Sequence, residues 1–207
     1  MAERCLWLFR GWCTFCDDMG EPAPKLKYTF AEYIALEEQG DTKHELVNGE
    51  IYAIAHGTPE HGRLAMRMGR LLGNALAGRP CEVFSSDVRV RVIATGLATY
   101  PDVSVVCGRL EIDPENRNTV TNPVLIVEIL SDSTEEYDRK DKFRHYRRLP
   151  SLRDYLLVDQ HEMRVEHCMR NDDGTWTLRE VTPPGAVRLS MGVEIPVAEV
   201  YANALSG

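Results

Sequence analysis

The hydrophobic residues of this chain recur at two spacings, one typical of helices and one typical of strands. Residues 29–32 form a capping box that predicts the start of a first helix, and an apolar stripe over 61–77 predicts an amphipathic second helix. The Asn48-Gly49 pair lies between two alternating runs and predicts a hairpin turn. Alternating or continuous apolar runs predict strands over 81–93, 102–106, 124–130, 155–158, 163–169 and 176–181.

The remaining segments carry weaker patterns. Residues 109–123 predict a polar loop, residues 134–149 a charged helix, and residues 197–205 a short C-terminal helix. Helices and strands follow one another without strict alternation. The predicted fold is therefore α/β of the α+β kind, with a mixed central β-sheet flanked by helices.

One predicted strand contains a charge where only apolar residues are expected. In residues 124–130, six of the seven side chains are aliphatic, which is typical of a central strand covered on both faces, and Glu128 lies in the middle. Burying an unpaired carboxylate costs roughly several kcal/mol of folding free energy, so such a group requires a cation, a metal ion or contact with water. Two interpretations remain open at this point, a metal ligand and a buried ion pair with Arg or Lys.

A second carboxylate stands at the start of the preceding predicted strand. Asp102 follows Pro101, a dipeptide that is common wherever a strand begins after a turn. Two carboxylates on neighbouring strands are a suitable arrangement for Mg²⁺, which binds one or two carboxylates together with water and substrate phosphates. The sequence thus predicts Asp102 and Glu128 as metal ligands.

The charged helix predicted over 134–149 presents Asp138, Lys142 and Tyr146 at intervals of four residues, on one face. An ordinary solvated face with one ion pair would account for this spacing. The functional interpretation directs the Lys142 ammonium towards the site of Glu128, where it could orient water and stabilise developing negative charge.

The composition limits the kind of partner. The 207 residues carry a formal net charge of -8, so any surface for nucleic acid must be local. No apolar run approaches the roughly 20 residues of a membrane span, and we expect a cytoplasmic protein that does not bind membranes. Six cysteines at irregular spacing are expected to be reduced thiols, and the Cys13/Cys16 pair lacks a second half-site for zinc.

Several segments together resemble a known family. They are residues 100–106 around Pro101-Asp102, residues 122–131 around Glu128 and residues 137–146 from Tyr137 to Tyr146, together with residues 44–50, His61 and residues 151–159. Taken together they resemble the Uma-type restriction endonuclease family of the PD-(D/E)XK nuclease superfamily. The resemblance begins near residue 26, so residues 1–24 are expected to be a flexible N-terminal extension and residues 25–207 the nuclease-like domain.

The resemblance implies a restriction-endonuclease-like fold and a metal-dependent endonuclease that hydrolyses phosphodiester bonds in nucleic acid, DNA above all. It implies Mg²⁺, or Mn²⁺, as the cofactor. The superfamily places a lysine two residues beyond the second carboxylate, where this chain has Leu130, and the family resemblance moves that amine to Lys142. It also places Glu45 and His61 at the border of the site, as an extra ligand and as a contact to phosphate or water.

Two other functions fit parts of the same pattern. A nuclease fold can be kept as a binding or regulatory module with little or no catalysis, since a fold does not determine function. A glycosidase could use Asp102 and Glu128 as its carboxylate pair, but the surrounding segments lack the tryptophans that sugar sites usually gather. A homodimer is expected only because symmetric oligomers are common.

Overall fold

Two six-stranded sheets make up most of the computed structural model, which describes residues 27–54 and 57–202. The helices are α1 (Phe30–Glu37), α2 (Pro59–Ala75), α3 (Glu135–Tyr137), α4 (Phe143–Tyr146) and α5 (Val197–Val200), with a π-helical segment (Asp138–Lys142) between α3 and α4. The strands are β1 (His44–Val47), β2 (Glu50–Ala53), β3 (Cys81–Ser85), β4 (Arg89–Val92), β5 (Leu97–Thr99), β6 (Val103–Cys107), β7 (Ile112–Asp113), β8 (Asn116–Val120), β9 (Leu125–Ile129), β10 (Asp154–Val158), β11 (Val165–Arg170), β12 (Trp176–Val181), β13 (Ala186–Arg188) and β14 (Glu194–Pro196).

The first sheet has the strand order β2-β1-β5-β4-β8-β7, and the second has the order β12-β11-β10-β9-β6-β3. In the second sheet β9 and β10 run parallel, whereas the other neighbours are antiparallel. A parallel pair requires a crossover, which the helical segment 135–146 provides. The fold is thus mixed, as predicted, but two large sheets replace the single central sheet.

The second sheet is covered on both faces. The side chains of β9 and of Leu130, the residue after it, point alternately to the two faces of the sheet. Leu125, Val127 and Ile129 pack against α2 and the C-terminal elements, whereas Ile126 and Leu130 pack against α4 and the first sheet. This double burial explains the nearly continuous apolar run of residues 124–130. Helix α1 covers the other face of the first sheet through Phe30, Tyr33 and Ile34.

Local signals in the sequence account for several element boundaries. Thr29 and Glu32 form the predicted capping box of α1, in which each side chain bonds the backbone of the other. Asn48 and Gly49 have φ angles of 53° and 85°, the left-handed pair that a tight hairpin turn between β1 and β2 requires. Helix α2 begins at Pro59 rather than near residue 61, because Thr58 caps it and proline suits its first position.

Two predicted elements are wrong. The alternating run over 81–93 divides at residues 86–88 into β3 and β4, which belong to different sheets, because the alternation continues through the turn. The predicted polar loop over 109–123 contains the β7-β8 hairpin, whose Asp113 and Thr119 are buried by tertiary contacts that polarity does not reveal. The C-terminal helix is observed for Val197–Val200, and residues beyond 202 lie outside the described part of the chain.

The expectation that all cysteines are reduced is also wrong. The antiparallel pairing of β3 with β6 places Cys81 opposite Cys107, with their Cα atoms 4.0 Å apart, and the two form a disulfide. Cys168 is a free, buried thiol. Cys5, Cys13 and Cys16, together with the predicted extension of residues 1–24, lie outside the described residues.

Within residues 27–54 and 57–202, no helix is both long enough and apolar enough to span a bilayer.

Candidate functional site

The register of the second sheet brings the two predicted metal ligands to the same place. Val103 of β6 pairs with Val127 of β9, so Asp102 lies one step further on, beside Glu128. Asp102 Oδ2 accepts a hydrogen bond from the backbone N–H of Ile129 at 2.7 Å, and the backbone N–H of Asp102 lies 3.4 Å from Glu128 Oε2. Asp102 and Glu128 are therefore neighbours on adjacent strands, as the sequence predicts.

Glu128 faces the helical segment that follows β9. Its side chain lies between Ile126 and Leu130 on the face covered by α4, and only 3% of its surface is exposed. Glu128 Oε1 accepts a hydrogen bond from the Tyr146 hydroxyl at 2.7 Å and lies 3.3 Å from Lys142 Nζ. Burial raises the pKa of Glu128 to about 8; the Lys142 ammonium opposes this shift, and the nearby Asp138 and Asp102 carboxylates reinforce it.

Lys142 is buried rather than solvated. Its ammonium lies 3.0 Å from Asp138 Oδ1, and the π-helical segment Asp138–Lys142 stacks these two residues on one face. Burial alone would lower the pKa of Lys142, but the Glu128, Asp138 and Glu45 carboxylates outweigh burial and raise it. The interpretation of this helix as an ordinary solvated face is therefore wrong for Asp138, Lys142 and Tyr146, all of which are buried.

His61 approaches the same place from the first turn of α2. Its Nε2 lies 3.2 Å from Asp102 Oδ2, and this contact raises the pKa of His61 against the opposing effect of burial. Thr58 fixes the helix start by capping the His61 N–H and by bonding Gln160 in the loop after β10. A Cβ at Gly57 would come within 2.8 Å of His61 Nδ1, so glycine allows the backbone to pass close to the imidazole.

Glu45 reaches the cluster from β1 of the first sheet. Its Oε2 accepts a hydrogen bond from Thr99 Oγ1 at 2.8 Å. Its charge acts on the helical segment: burial and then Glu45 raise the pKa of Tyr137, and Glu45 also acts on Lys142. All five predicted site residues, Asp102, Glu128, Lys142, Glu45 and His61, are thus brought into one region, while their roles in chemistry stay predictions.

The donor set fits one hard divalent cation. Among the described residues, Asp102 Oδ1 makes no hydrogen bond, and Glu128 Oε2 has only the long contact to the Asp102 amide. Two carboxylates with acceptor capacity to spare are what Mg²⁺ requires, because water and substrate phosphates complete its coordination. Across residues 27–54 and 57–202, no three His, Cys, Asp or Glu side chains gather as a ready-made metal site.

The sequence profile of the Uma2 family, described as "Putative restriction endonuclease", matches residues 30–198. The chain belongs to this family. It is 38% identical over 183 residues to "Uncharacterized protein slr1290" of Synechocystis sp. (86% of this chain, 94% of that protein), and 40% identical over 153 residues to "Uncharacterized protein sll1609" of the same organism (74% and 86%).

A solved structure shares the fold. It is the crystal structure of "a putative nuclease belonging to DUF820 from Anabaena variabilis ATCC 29413", with a TM-score of 0.64 at 16% identity, covering 76% of this chain and 89% of that one. At this level of identity the likeness establishes a restriction-endonuclease-like fold alone. Family membership makes the chain a nuclease-family protein.

In this Uma2-family chain the structure adds residues that the sequence-based site omits. Asp138 and Tyr146, which the helical spacing had singled out without a role, contact Lys142 and Glu128 directly. His145 is buried as well, and burial lowers its pKa. The four-residue spacing was the available signal for Asp138 and Tyr146, whereas nothing in the sequence distinguishes His145 from an exposed helix residue.

Helices α2 and α4 carry four arginines, Arg63, Arg67, Arg70 and Arg144, and most of them make contacts within the protein. Arg63 pairs with Glu60 and also donates to the Ala202 carbonyl, which Arg67 contacts at 2.8 Å. Arg144 pairs with Asp141 at 3.3 Å. Of the four, Arg70 alone makes no hydrogen bond or ion pair to the described residues, so these side chains do not form a shared surface for phosphate.

Proposed function

We propose that this protein is an endonuclease that hydrolyses phosphodiester bonds in DNA with a divalent metal ion, Mg²⁺ or Mn²⁺, held by Asp102 and Glu128. One observation carries the proposal: carboxyl groups outnumber cationic groups in a largely buried region. Four carboxylates act there against the ammonium of Lys142 and the imidazole of His61; they belong to Asp102, Glu128, Asp138 and Glu45.

This surplus of carboxylates favours the binding of a cation. Burial raises the pKa of Glu128 to about 8 even though a lysine lies 3.3 Å away, so one ammonium does not offset burial and the neighbouring carboxylates together. A bound divalent ion would offset that charge and would supply Lewis-acid chemistry at the phosphate. Because two carboxylates and no third ligand are available among the described residues, the substrate phosphate itself is expected to take part in binding.

The protein groups around the two ligands have separate tasks. Tyr146 donates to Glu128 and His61 contacts Asp102, so each carboxylate is oriented by a partner on a different helix. Lys142, held between Glu128 and Asp138, keeps its proton and places a positive charge where the phosphate gains negative charge. Glu45 and Asp138 surround that ammonium and help to keep it charged.

Cleavage of a panel of DNA and RNA forms with Mg²⁺, with Mn²⁺ and with chelator tests the proposal. We expect metal-dependent cleavage of DNA, and a loss of about a thousandfold or more in Asp102→Asn and Glu128→Gln. Lys142→Met should lose most activity, whereas Lys140→Met is the matched control, because Lys140 is exposed and pairs with Glu136. Metal-independent cleavage, or unchanged rates in both carboxylate variants, would contradict the proposal.

A second function has one observation in its favour. Lys142 bridges Glu128 and Asp138, and a nuclease fold kept for binding or regulation could use the same ion pairs as structural support. Such a module would bind DNA without cutting it under any metal. The expected homodimer and cytoplasmic location stay predictions, to be checked by light scattering and cell fractionation.

A further inference from the structure

The loop that joins α4 to β10, residues 147–153, carries three exposed arginines. Arg147, Arg148 and Arg153 are exposed, and in the described part of the chain their side chains make no hydrogen bond or ion pair. We call this segment the arginine loop. Many arginines elsewhere are neutralised by carboxylates, as in the pairs Arg139–Glu166 and Arg164–Asp159.

The arginine loop is held in a fixed shape by a fourth arginine. Arg170, at the end of β11, donates from Nη1 to the carbonyls of Leu149 and Pro150, both at 3.1 Å, and from Nη2 to the carbonyl of Arg147. Its guanidinium lies over the ring of Trp176 at 5.1 Å. Leu149 and Leu152 are buried, so the loop is anchored from within. The three exposed arginines therefore project from a rigid base rather than from a free segment.

Arg147, Arg148, Arg153 and Arg170 place four positive charges at this end of the second sheet. Burial lowers the pKa of Arg170, and the charge of nearby Arg153 lowers it further. Asp154 follows Arg153 in the chain but is fully buried and bonded to His167 and Ser190, so it does not neutralise the loop. The neighbouring hairpin turn adds the exposed carboxylates of Asp172 and Asp173, of which Asp173 accepts hydrogen bonds from Thr175.

Stabilisation of the helix would be the simplest role for such residues, since cations are favoured at a helix C-terminus by about 0.3–1 kcal/mol. That role suits Arg147 and Arg148, which directly follow α4. It does not suit Arg153, whose N–H bonds the Val124 carbonyl at the start of β9. A ligand that contacts all three must carry several negative charges spread over a surface.

The position of the loop relative to the metal ligands suggests which ligand it is. Val124, bonded by Arg153, precedes Glu128 by four residues of extended chain, a span of about 13 Å at roughly 3.3 Å per residue. One strand of DNA carries a phosphate about every 3.4 Å along the axis. We infer that the arginine loop binds the phosphate backbone of the nucleic-acid substrate roughly four nucleotides from the bond that is cut, an inference that rests on the proposed function.

Binding of a labelled DNA duplex of about 30 base pairs, measured by fluorescence anisotropy over a series of salt concentrations with Ca²⁺ in place of Mg²⁺, tests the inference. The test variant is Arg147→Gln/Arg148→Gln/Arg153→Gln. We expect its affinity to fall about tenfold or more, and the slope of log affinity against log salt to decrease by about two to three units.

The matched control changes three other exposed arginines that have no partner among the described residues, in the variant Arg109→Gln/Arg117→Gln/Arg179→Gln. It alters the net charge equally, so a larger loss in the arginine-loop variant supports the inference. If the wild type binds duplex and the two triple variants lose affinity equally, the arginine loop is not the surface, although the proposed function stands. If the wild type binds no nucleic acid at low salt, both proposals fail. Unchanged thermal unfolding of both variants confirms that they are folded.

Discussion

Two buried clusters of charged side chains lie on opposite faces of the first sheet, and they are built in opposite ways. One surrounds Arg89 beneath α1, and the other surrounds Glu128 and Lys142 beneath α4. Both combine cations, carboxylates and tyrosines with little exposure to solvent. Composition alone would not tell which of them holds the protein together and which one acts on a substrate.

The Arg89 cluster is satisfied. Its guanidinium donates from Nε to the Tyr33 hydroxyl at 3.2 Å, from Nη1 to Thr119 Oγ1 at 3.2 Å and from Nη2 to Glu37 Oε2 at 3.4 Å. The other oxygen of Glu37 accepts hydrogen bonds from the backbone and the ring of His44. The charge of the Arg89 guanidinium balances that of the Glu37 carboxylate, and the guanidinium nitrogens all donate hydrogen bonds.

The Glu128 cluster is neither balanced nor satisfied. Within the described residues, His145 Nδ1 is buried and makes no hydrogen bond, and Asp138 Oδ1 has only its ion pair with Lys142. Carboxylates outnumber the ammonium, and burial together with the neighbouring Asp138 and Asp102 carboxylates raises the pKa of Glu128. The comparison shows how the two kinds of cluster differ. Excess charge and unused hydrogen-bond acceptors are typical of a functional site, whereas a cluster in which every charge is paired is typical of a structural network.

The largest effect is expected from the structural cluster. Arg89→Met should lower the free energy of unfolding by about 3–5 kcal/mol, because Glu37 is left buried without its guanidinium. Urea unfolding measures the change. Arg117→Met, an exposed arginine with no partner among the described residues, is the control and should stay within about 0.5 kcal/mol. If Arg89→Met lost as little stability as the control, Arg89 would have no structural role.

A smaller effect, on activity rather than stability, is expected at Asp138. Asp138→Asn keeps the shape of the side chain but weakens its hold on Lys142, so kcat/KM should fall by about 10–100-fold. Asp141→Asn is the control, because Asp141 is exposed and pairs with Arg144. Steady-state cleavage rates compare the two variants. Equal rates would show that Asp138 does not position the ammonium.

The smallest effect is a gain in stability that depends on pH. Between its ordinary pKa of 4.5 and its folded pKa of about 8, Glu128 ionises in the unfolded chain but not in the folded one, so stability without metal falls as pH rises. Glu128→Gln avoids this loss. We expect the free energy of unfolding of Glu128→Gln to exceed that of the wild type by about 1–2 kcal/mol at about pH 8 in chelator. This gain should shrink towards about pH 5.

Urea unfolding at several pH values measures this gain, and Glu136→Gln is the control, because Glu136 is exposed and pairs with Lys140. A gain that is constant with pH would mean that Glu128 is already ionised when the protein is folded. A loss of stability in Glu128→Gln would mean that Lys142 fully compensates the carboxylate.

The sequence predicts those features that rest on local chemistry. The capping box of α1, the Asn48-Gly49 turn and the buried strand around Glu128 each depend on neighbours within a few residues. The grouping of the predicted site residues followed from the family resemblance and from the four-residue spacing of Asp138 and Lys142. These parts needed no knowledge of which strands pair.

Features that depend on strand pairing could not be predicted in the same way. The chain passes from the second sheet to the first between Ser85 and Arg89 without a break in its alternation. The disulfide joins Cys81 and Cys107 across 26 residues, which requires the register of β3 on β6. The Arg89 cluster likewise draws on residues from α1, β1, β4 and β8 and on Tyr100 after β5, so its balance appears only in three dimensions.

The central claim is that the unbalanced cluster binds a divalent cation through Asp102 and Glu128. Titration of the metal-free protein with Mn²⁺, followed by calorimetry, tests it most directly. We expect saturable binding that weakens by at least about tenfold in Asp102→Asn and in Glu128→Gln, and that is retained in Arg89→Met under conditions where that variant is folded. No binding at millimolar metal, or equal affinity in Asp102→Asn and the wild type, would contradict the account.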